Sequence, residues 1–128
     1  MAAVTRVKAR PCTPVGYEVV DRVELAEDVV AGDLLVFTGA MSEGQAVMEK
    51  AGTSEIEPDA IALQDEFAGK RGYSVGIQGE MDGFSGMTPK TPLYPSGSTA
   101  GGLDTTAPEG AVIRIKAVTA TRIRYNFV

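Results

Sequence analysis

The chain has no histidine and no tryptophan, and its single cysteine is Cys12. Without an imidazole, one chain lacks the base of a Ser-His-Asp or Cys-His nucleophile, and it cannot build a histidine metal site. A single thiol forms neither a multi-thiolate zinc site nor an internal disulfide, which suits assembly in a reducing cytoplasm. These absences exclude most familiar catalytic machinery, and we expect no catalytic residue, cofactor or metal.

Long apolar runs are also missing. No segment approaches the roughly 20 consecutive apolar residues that a membrane-spanning helix needs. The first residues, MAAVTRVKARP, lack the apolar centre of a signal peptide. We therefore expect a soluble protein that has no membrane partner and stays in the compartment where it is made unless a larger body carries it.

The composition favours a mainly β fold. A chain of 128 residues has the length of one domain. Its 44% apolar and 23% charged residues are ordinary for a globular protein, whereas 15 glycines and 7 prolines indicate many turns and few long helices. We expect a compact single β domain.

The charge is unevenly distributed. The net charge of −5 argues against nucleic acid as a partner, because sequence-independent binding to phosphates needs a basic surface. The first ten residues carry +3 and the last eighteen carry +4, which leaves −12 on residues 11–110. The basic ends are either ordinary solvated faces or, at the N-terminus, an arm that seeks an acidic partner surface.

The N-terminal residues have a strand-like pattern. Neutral or apolar side chains alternate with cationic ones in the order Thr5, Arg6, Val7, Lys8, Ala9, Arg10. Pro11 and Pro14 then interrupt regular pairing. We predict an extended arm over residues 1–14, which either adds a strand to a partner or is disordered, and a β-rich domain over residues 15–128.

Several further segments are predicted strands. They are residues 16–25, the continuous apolar run 33–38 that is typical of a strand buried on both faces, 46–50, which closes a hairpin with that run, and 73–79. Residues 59–66 fit a short helix or a strand equally well.

Residues 80–110 are rich in glycine and proline, so we predict a long excursion with one short strand at 92–94. Its apolar content argues against disorder. The chain then predicts a terminal hairpin of 112–118 with 121–127, with Ile113 and Ile115 on one face.

Three motifs in the excursion suggest chemistry. The segment 97–102 has the outer glycine spacing of a phosphate-binding loop but lacks its lysine and hydroxyl residue. The run Leu103-Asp104-Thr105 resembles the aspartic-protease signature, although Thr106 replaces its glycine, and the alternative is a turn closed by Asp104. Calcium could use Glu80, Asp82 and Asp104, but no EF-hand spacing is present.

The order of segments resembles a known family, the capsid decoration or cement proteins of tailed phages. The segments that carry the resemblance are 30–36 (VAGDLLV), 60–65 (AIALQD) with Ala68-Gly69, 75–79 (VGIQG), 92–96 (PLYPS) and 101–105 (GGLDT). The resemblance covers about residues 15–128.

This resemblance implies a β-tulip or barrel-like fold, no catalysis, and a virion location on the outer surface of the expanded capsid. It implies homotrimers at threefold or quasi-threefold positions, with the major capsid protein as partner. The arm residues that would contact the capsid are Arg6, Val7, Lys8 and Arg10. The residues expected at the subunit interface, or else in the core, are Phe84, Met87, Leu93 and Tyr94. The alternatives are another phage module of the tail or fibre and an aspartic protease that uses Asp104.

Overall fold

The computed structural model describes residues 4–11 and 19–128, and within these residues it contains ten strands and no helix. The predicted mainly β single domain is confirmed. The strands in chain order are β1 (Thr5–Pro11), β2 (Val19–Leu25), β3 (Leu34–Ser42), β4 (Gln45–Lys50), β5 (Ala60–Ala62), β6 (Tyr73–Ser85), β7 (Pro92–Pro95), β8 (Leu103–Asp104), β9 (Ile115–Ala117) and β10 (Arg122–Asn126).

The longest strand, β6, organises the sheet, because four other strands pair with it in antiparallel fashion. Strands β2 and β5 both pair with Val75 and Gly76, so they lie on opposite edges of β6. Strands β1 and β10 both pair with Met81 and Asp82, so they also lie on opposite edges. Because β2 and β10 share Gln78, β1 follows β2 along one edge and β10 follows β5 along the other.

One half of the sheet closes on itself. The pairings run from β2 to β4, β3, β5 and β6 and return to β2, and only the β2–β4 contact is parallel. Alternate residues of these strands point inward, as the two-residue period of a strand requires. The buried side chains of this cluster include Val23, Leu25, Leu35, Met48, Ala60, Ala62, Tyr73 and Val75. The likeness to a β-tulip or barrel-like fold stays a prediction.

A second core lies under the remaining strands. Strands β1, β10, β9, β7 and β8 follow from the far half of β6, and the backbone N–H of Val4 donates to the carbonyl of Leu103, 3.0 Å away. The buried side chains include Ala9, Leu34, Ile61, Met81, Phe84, Leu93, Leu103, Ile115, Ile123 and Tyr125. Leu34 belongs to this core and Leu35 to the ring, which confirms that the start of the 33–38 run is buried on both faces.

Three predictions of element bounds are resolved or corrected. The ambiguous 59–66 segment contains a strand, Ala60–Ala62. Strand β6 continues to Ser85, so residues 80–85 do not belong to an excursion, because β1 and β10 pair with them on both edges. The first strand of the terminal hairpin spans only Ile115–Ala117, and Ile113 is 54% exposed, because the ladder ends at the pair of Ile115 with Tyr125.

The buried side chain of Tyr73 predicts that the folded protein loses stability at alkaline pH. Its ring is buried and its hydroxyl donates to the carbonyl of Gln64, and burial raises its pKa to about 12. Between pH 10 and 12 the unfolded chain loses this proton while the folded chain keeps it, so stability falls as the pH rises through this window. The slope contributed is at most about 1.4 kcal/mol per pH unit.

The Tyr73→Phe variant should lose about 1 kcal/mol at pH 8, because the hydrogen bond to Gln64 is gone. It should then lose less stability than the wild type between pH 10 and 12. Urea unfolding at several pH values measures both effects. Identical pH slopes for the two proteins would contradict the assignment.

Candidate functional site

The N-terminal strand docks on the same chain through an irregular ladder. In its pairing with β6, Thr5 faces Ser85 and Arg6 faces Phe84, whereas Arg10 faces Asp82. The strand advances four residues where β6 advances two, so β1 bulges between Arg6 and Arg10. The basic N-terminal segment is therefore part of the sheet, with a local distortion of the kind that is common at sheet edges.

A partly buried ion pair holds β1 to the loop before β3. One guanidinium nitrogen of Arg6 donates to Asp33 Oδ1 at 3.0 Å and to the carbonyl of Ala31 at 2.9 Å. Asp33 is only 5% exposed, and its Oδ2 accepts the backbone N–H of Val30 at 2.8 Å. Both carboxylate oxygens therefore have donors, as a buried charge requires. We call this Arg6–Asp33 pair, with its backbone partners, the clasp.

Two glycines allow the chain to approach the clasp closely. Gly32 has φ +93°, and a Cβ there would lie 2.7 Å from Ala9 Cβ and 3.1 Å from Arg6 Cδ. Gly101 has φ +75°, and a Cβ there would lie 2.9 Å from Asp33 Oδ1. Any side chain at either position is excluded by both the space and the backbone conformation. The clasp thus depends on glycines that lie far apart in the sequence.

A groove of about 780 Å³ lies beside the clasp and includes Arg6, Asp33, Lys50 and Asp65 in its lining. Lys50 also lies 3.7 Å from Glu27, and the carboxylate of Asp65 accepts the backbone N–H of Ala31. Charges of both signs are therefore satisfied locally. Such an arrangement positions the basic strand β1 on the body of the protein.

The outer edge of β1 is the remaining feature of this site. Within residues 4–11 and 19–128, β6 is the strand that pairs with β1, and the clasp joins β1 to the loop before β3. An edge with free N–H and C=O groups is able to accept another strand. The candidate functional site therefore consists of β1, the clasp that holds it, and this edge.

The structure places the predicted capsid-contact residues unequally. Arg6 is engaged in the clasp, so its side chain already has partners within the chain. Val7, Lys8 and Arg10 belong to β1, and the structure describes their backbone but not their side chains. Part of the predicted 1–14 arm, residues 12–14, also falls outside it.

Three of the four predicted interface residues lie in the core of the chain. Phe84, Met87 and Leu93 are 2%, 7% and 1% exposed and pack in the second core, which agrees with the core alternative. Tyr94 is half-buried. The physical reason is that these side chains pack against Leu103, Ile115 and Ile123 within one chain.

The loop acids that sequence offered to calcium are mostly paired. Arg122 binds both carboxylate oxygens of Asp82 at 3.0 Å, and Arg124 binds Glu80. Both arginines lie on the second strand of the terminal hairpin, opposite those acids in the ladder. This cross-strand pairing leaves Glu80 and Asp82 as part of a charged sheet face.

The other two motifs form turns. Asp104 is 1% exposed and its Oδ1 accepts the backbone N–H of Thr106 at 3.0 Å, which confirms the turn interpretation. In the glycine-rich 97–102 segment, the hydroxyl of Ser96 accepts the N–H groups of Ser98 and Thr99. These donors therefore face a side chain of the protein instead of a phosphate.

Sequence reasoning missed Gly32, Asp33 and Gly101. The sequence pattern places Gly32 and Asp33 at the start of a strand and Gly101 in a glycine-rich segment. One signal in the sequence could have identified Asp33, because this acid directly precedes the apolar run of a buried strand. A carboxylate buried among apolar residues requires a cationic partner.

The described residues contain no helix long and apolar enough to cross a membrane. No family model, curated protein or solved structure matches the chain.

Proposed function

We propose that this protein decorates the capsid of a tailed phage. It binds the outer surface of the expanded shell as trimers at threefold or quasi-threefold positions and stabilises it, without catalysis. The proposal is supported by the order of the sequence segments described above. The structural observation that carries it is the basic N-terminal strand β1, which pairs with β6 and with no other strand among the described residues.

In this proposal the capsid adds a strand to β1. Backbone hydrogen bonds along the edge supply affinity, and the cations Lys8 and Arg10 select an acidic patch of the major capsid protein. Arg6 has a different role from the one expected from sequence. It keeps β1 on the body of the protein through the clasp, which reduces the entropy lost when the shell is bound.

Trimers make weak single contacts sufficient. Linked sites raise the overall affinity through effective concentration, by about 100-fold or more. Self-association requires an apolar surface, and the described residues expose several large apolar side chains near the Arg114–Glu57 ion pair. They are Ile56, Val112, Ile113 and Val128. These residues take the place of the buried Phe84, Met87 and Leu93 as the proposed subunit contact.

The first test is binding to expanded, undecorated capsids of the same phage. Capsids are pelleted and the bound copies are counted for the wild type and for a variant that lacks residues 1–10. We expect saturable binding of the wild type in multiples of three per lattice unit, and binding about 100-fold weaker for the truncation.

A charge-matched pair of variants isolates the electrostatic part. Lys8→Gln with Arg10→Gln should weaken binding and reduce its salt dependence, whereas Lys70→Gln with Lys116→Gln removes the same charge from exposed positions on the body. Equal losses in the two double variants would contradict a role for the arm. No binding of the wild type to its shell would favour a tail or fibre module.

A cross-link decides whether β1 stays on the body. Thr5 and Ser85 are directly paired, so cysteines at both positions, with Cys12→Ser, can form a disulfide across the ladder. Retained binding of the oxidised protein supports strand addition at the edge of a docked β1. Binding lost on oxidation and restored by reduction means that β1 leaves the body to reach the shell.

The enzyme alternative has less support. An aspartic protease needs an accessible carboxylate that shares a proton with its partner. Asp104 is buried and accepts a hydrogen bond from its own turn. We therefore assign this residue a local role, which the next section extends.

A further inference from the structure

One carboxylate oxygen in the structure is buried without a partner. Asp104 Oδ1 accepts the N–H of Thr106. Asp104 Oδ2 is buried from solvent and has no hydrogen-bond donor among the described residues. A carboxylate oxygen that is removed from water without a donor or a cation is strongly unfavourable. Such an atom indicates a water or an ion that completes its coordination.

The surroundings of Asp104 collect oxygen atoms. A cavity of about 170 Å³ lies beside it, where the loop after β4, the end of β7 and the turn after β8 converge. Its lining consists of Thr53, Ser54, Glu55, Pro95, Gly97, Asp104, Thr106 and Pro108. This set contains two carboxylates and three hydroxyls but neither lysine nor arginine. Negative charge is therefore gathered there without a cationic side chain to balance it.

We propose that this cavity binds a hard divalent cation of the size of Ca²⁺. Asp104 and Glu55 would supply carboxylate oxygens, and hydroxyl, carbonyl and water oxygens would complete the six to eight ligands that Ca²⁺ takes. Among the described residues no three acidic, histidine or cysteine side chains meet, so the site has few charged ligands. We expect a dissociation constant of about 0.1–1 mM, as in extracellular calcium modules. This inference is independent of the proposed function.

Thermal unfolding of the full chain tests the site. Addition of about 10 mM Ca²⁺ to protein first treated with chelator should raise Tm by about 5 °C, because the cation binds the folded chain only. The Asp104→Asn variant keeps the acceptor for Thr106 but removes the uncompensated charge. We expect it to match or exceed the wild type in chelator and to fall below it in Ca²⁺.

This reversal of order distinguishes cation binding from a merely structural role, which would lower the stability of the variant under both conditions. Glu55→Gln should reduce the Ca²⁺ shift to less than half. Glu109→Gln removes the same charge from an exposed residue outside the cavity lining and should leave the shift unchanged. Mg²⁺ at the same concentration should give a smaller shift, because it requires a stricter octahedral geometry.

A second readout does not depend on stability. Tyr94 is the direct cross-strand partner of Asp104, so we expect its ring to sensitise luminescence of Tb³⁺ bound in the cavity. The signal should be displaced by Ca²⁺ and lost in Tyr94→Phe, although that variant keeps its Ca²⁺ shift in Tm. Absence of both a Tm shift and Tyr94-dependent luminescence in the wild type would overturn the proposal and assign the partner of Oδ2 to water.

Discussion

Replacing Asp33 with alanine is expected to lower the free energy of unfolding by about 3 kcal/mol. The substitution leaves the guanidinium of Arg6 partly buried without its anion, and it removes the acceptor of the Val30 N–H. Breaking one partner of a buried pair costs far more than the pair contributes when intact, because the remaining charge stays desolvated. Urea unfolding at pH 7 measures the loss.

Asp65 provides the matched control. It also accepts a backbone N–H, that of Ala31, but its side chain is exposed, so Asp65→Ala should lose at most about 1 kcal/mol. Hydrogen exchange should show faster exchange of β1 amides in Asp33→Ala than in the control. A loss in Asp33→Ala as small as that in Asp65→Ala would show that the clasp does not hold β1.

A Gly76→Ala substitution is expected to destabilise the protein by about 3 kcal/mol, at the upper end of the usual cost of overpacking a core. A Cβ at this position would lie 2.5 Å from the hydroxyl oxygen of Tyr125 and 2.9 Å from Leu63 Cδ2. Leu63 can change its rotamer, but Tyr125 is buried and its ring packs against Phe127. The strain therefore falls on Tyr125.

Gly52→Ala is the control, because a Cβ there has no atom within 4 Å and the backbone φ is not positive. Alanine reduces the number of conformations that the unfolded chain can adopt. The free energy of unfolding of this variant should therefore be unchanged or higher by about 0.5 kcal/mol. Near-ultraviolet circular dichroism should report a changed tyrosine environment in Gly76→Ala alone. Equal stabilities of the two variants would contradict the close approach.

The sequence predicted the strands whose pairing is local. The hairpin of β3 with β4 and that of β9 with β10 follow from short turns and alternating side chains, as does the turn at Asp104. Strand β6 was predicted only in its first half, because Gly79 and Gly83 conceal its continuation. Its second half is a strand since β1 and β10 pair with it from distant parts of the chain.

The sequence by itself determined the β class, the local hairpins and the exclusion of histidine chemistry, because these depend on residue types and on near neighbours. The tertiary structure decided which side chains meet. It turned Arg6 from a free cation into half of a clasp and placed Phe84 and Leu93 in the core instead of on a surface. Those outcomes require contacts between residues far apart in the chain. The alternation of side chains along a strand predicts which residues share a face of the sheet, but it does not predict which other element packs against that face.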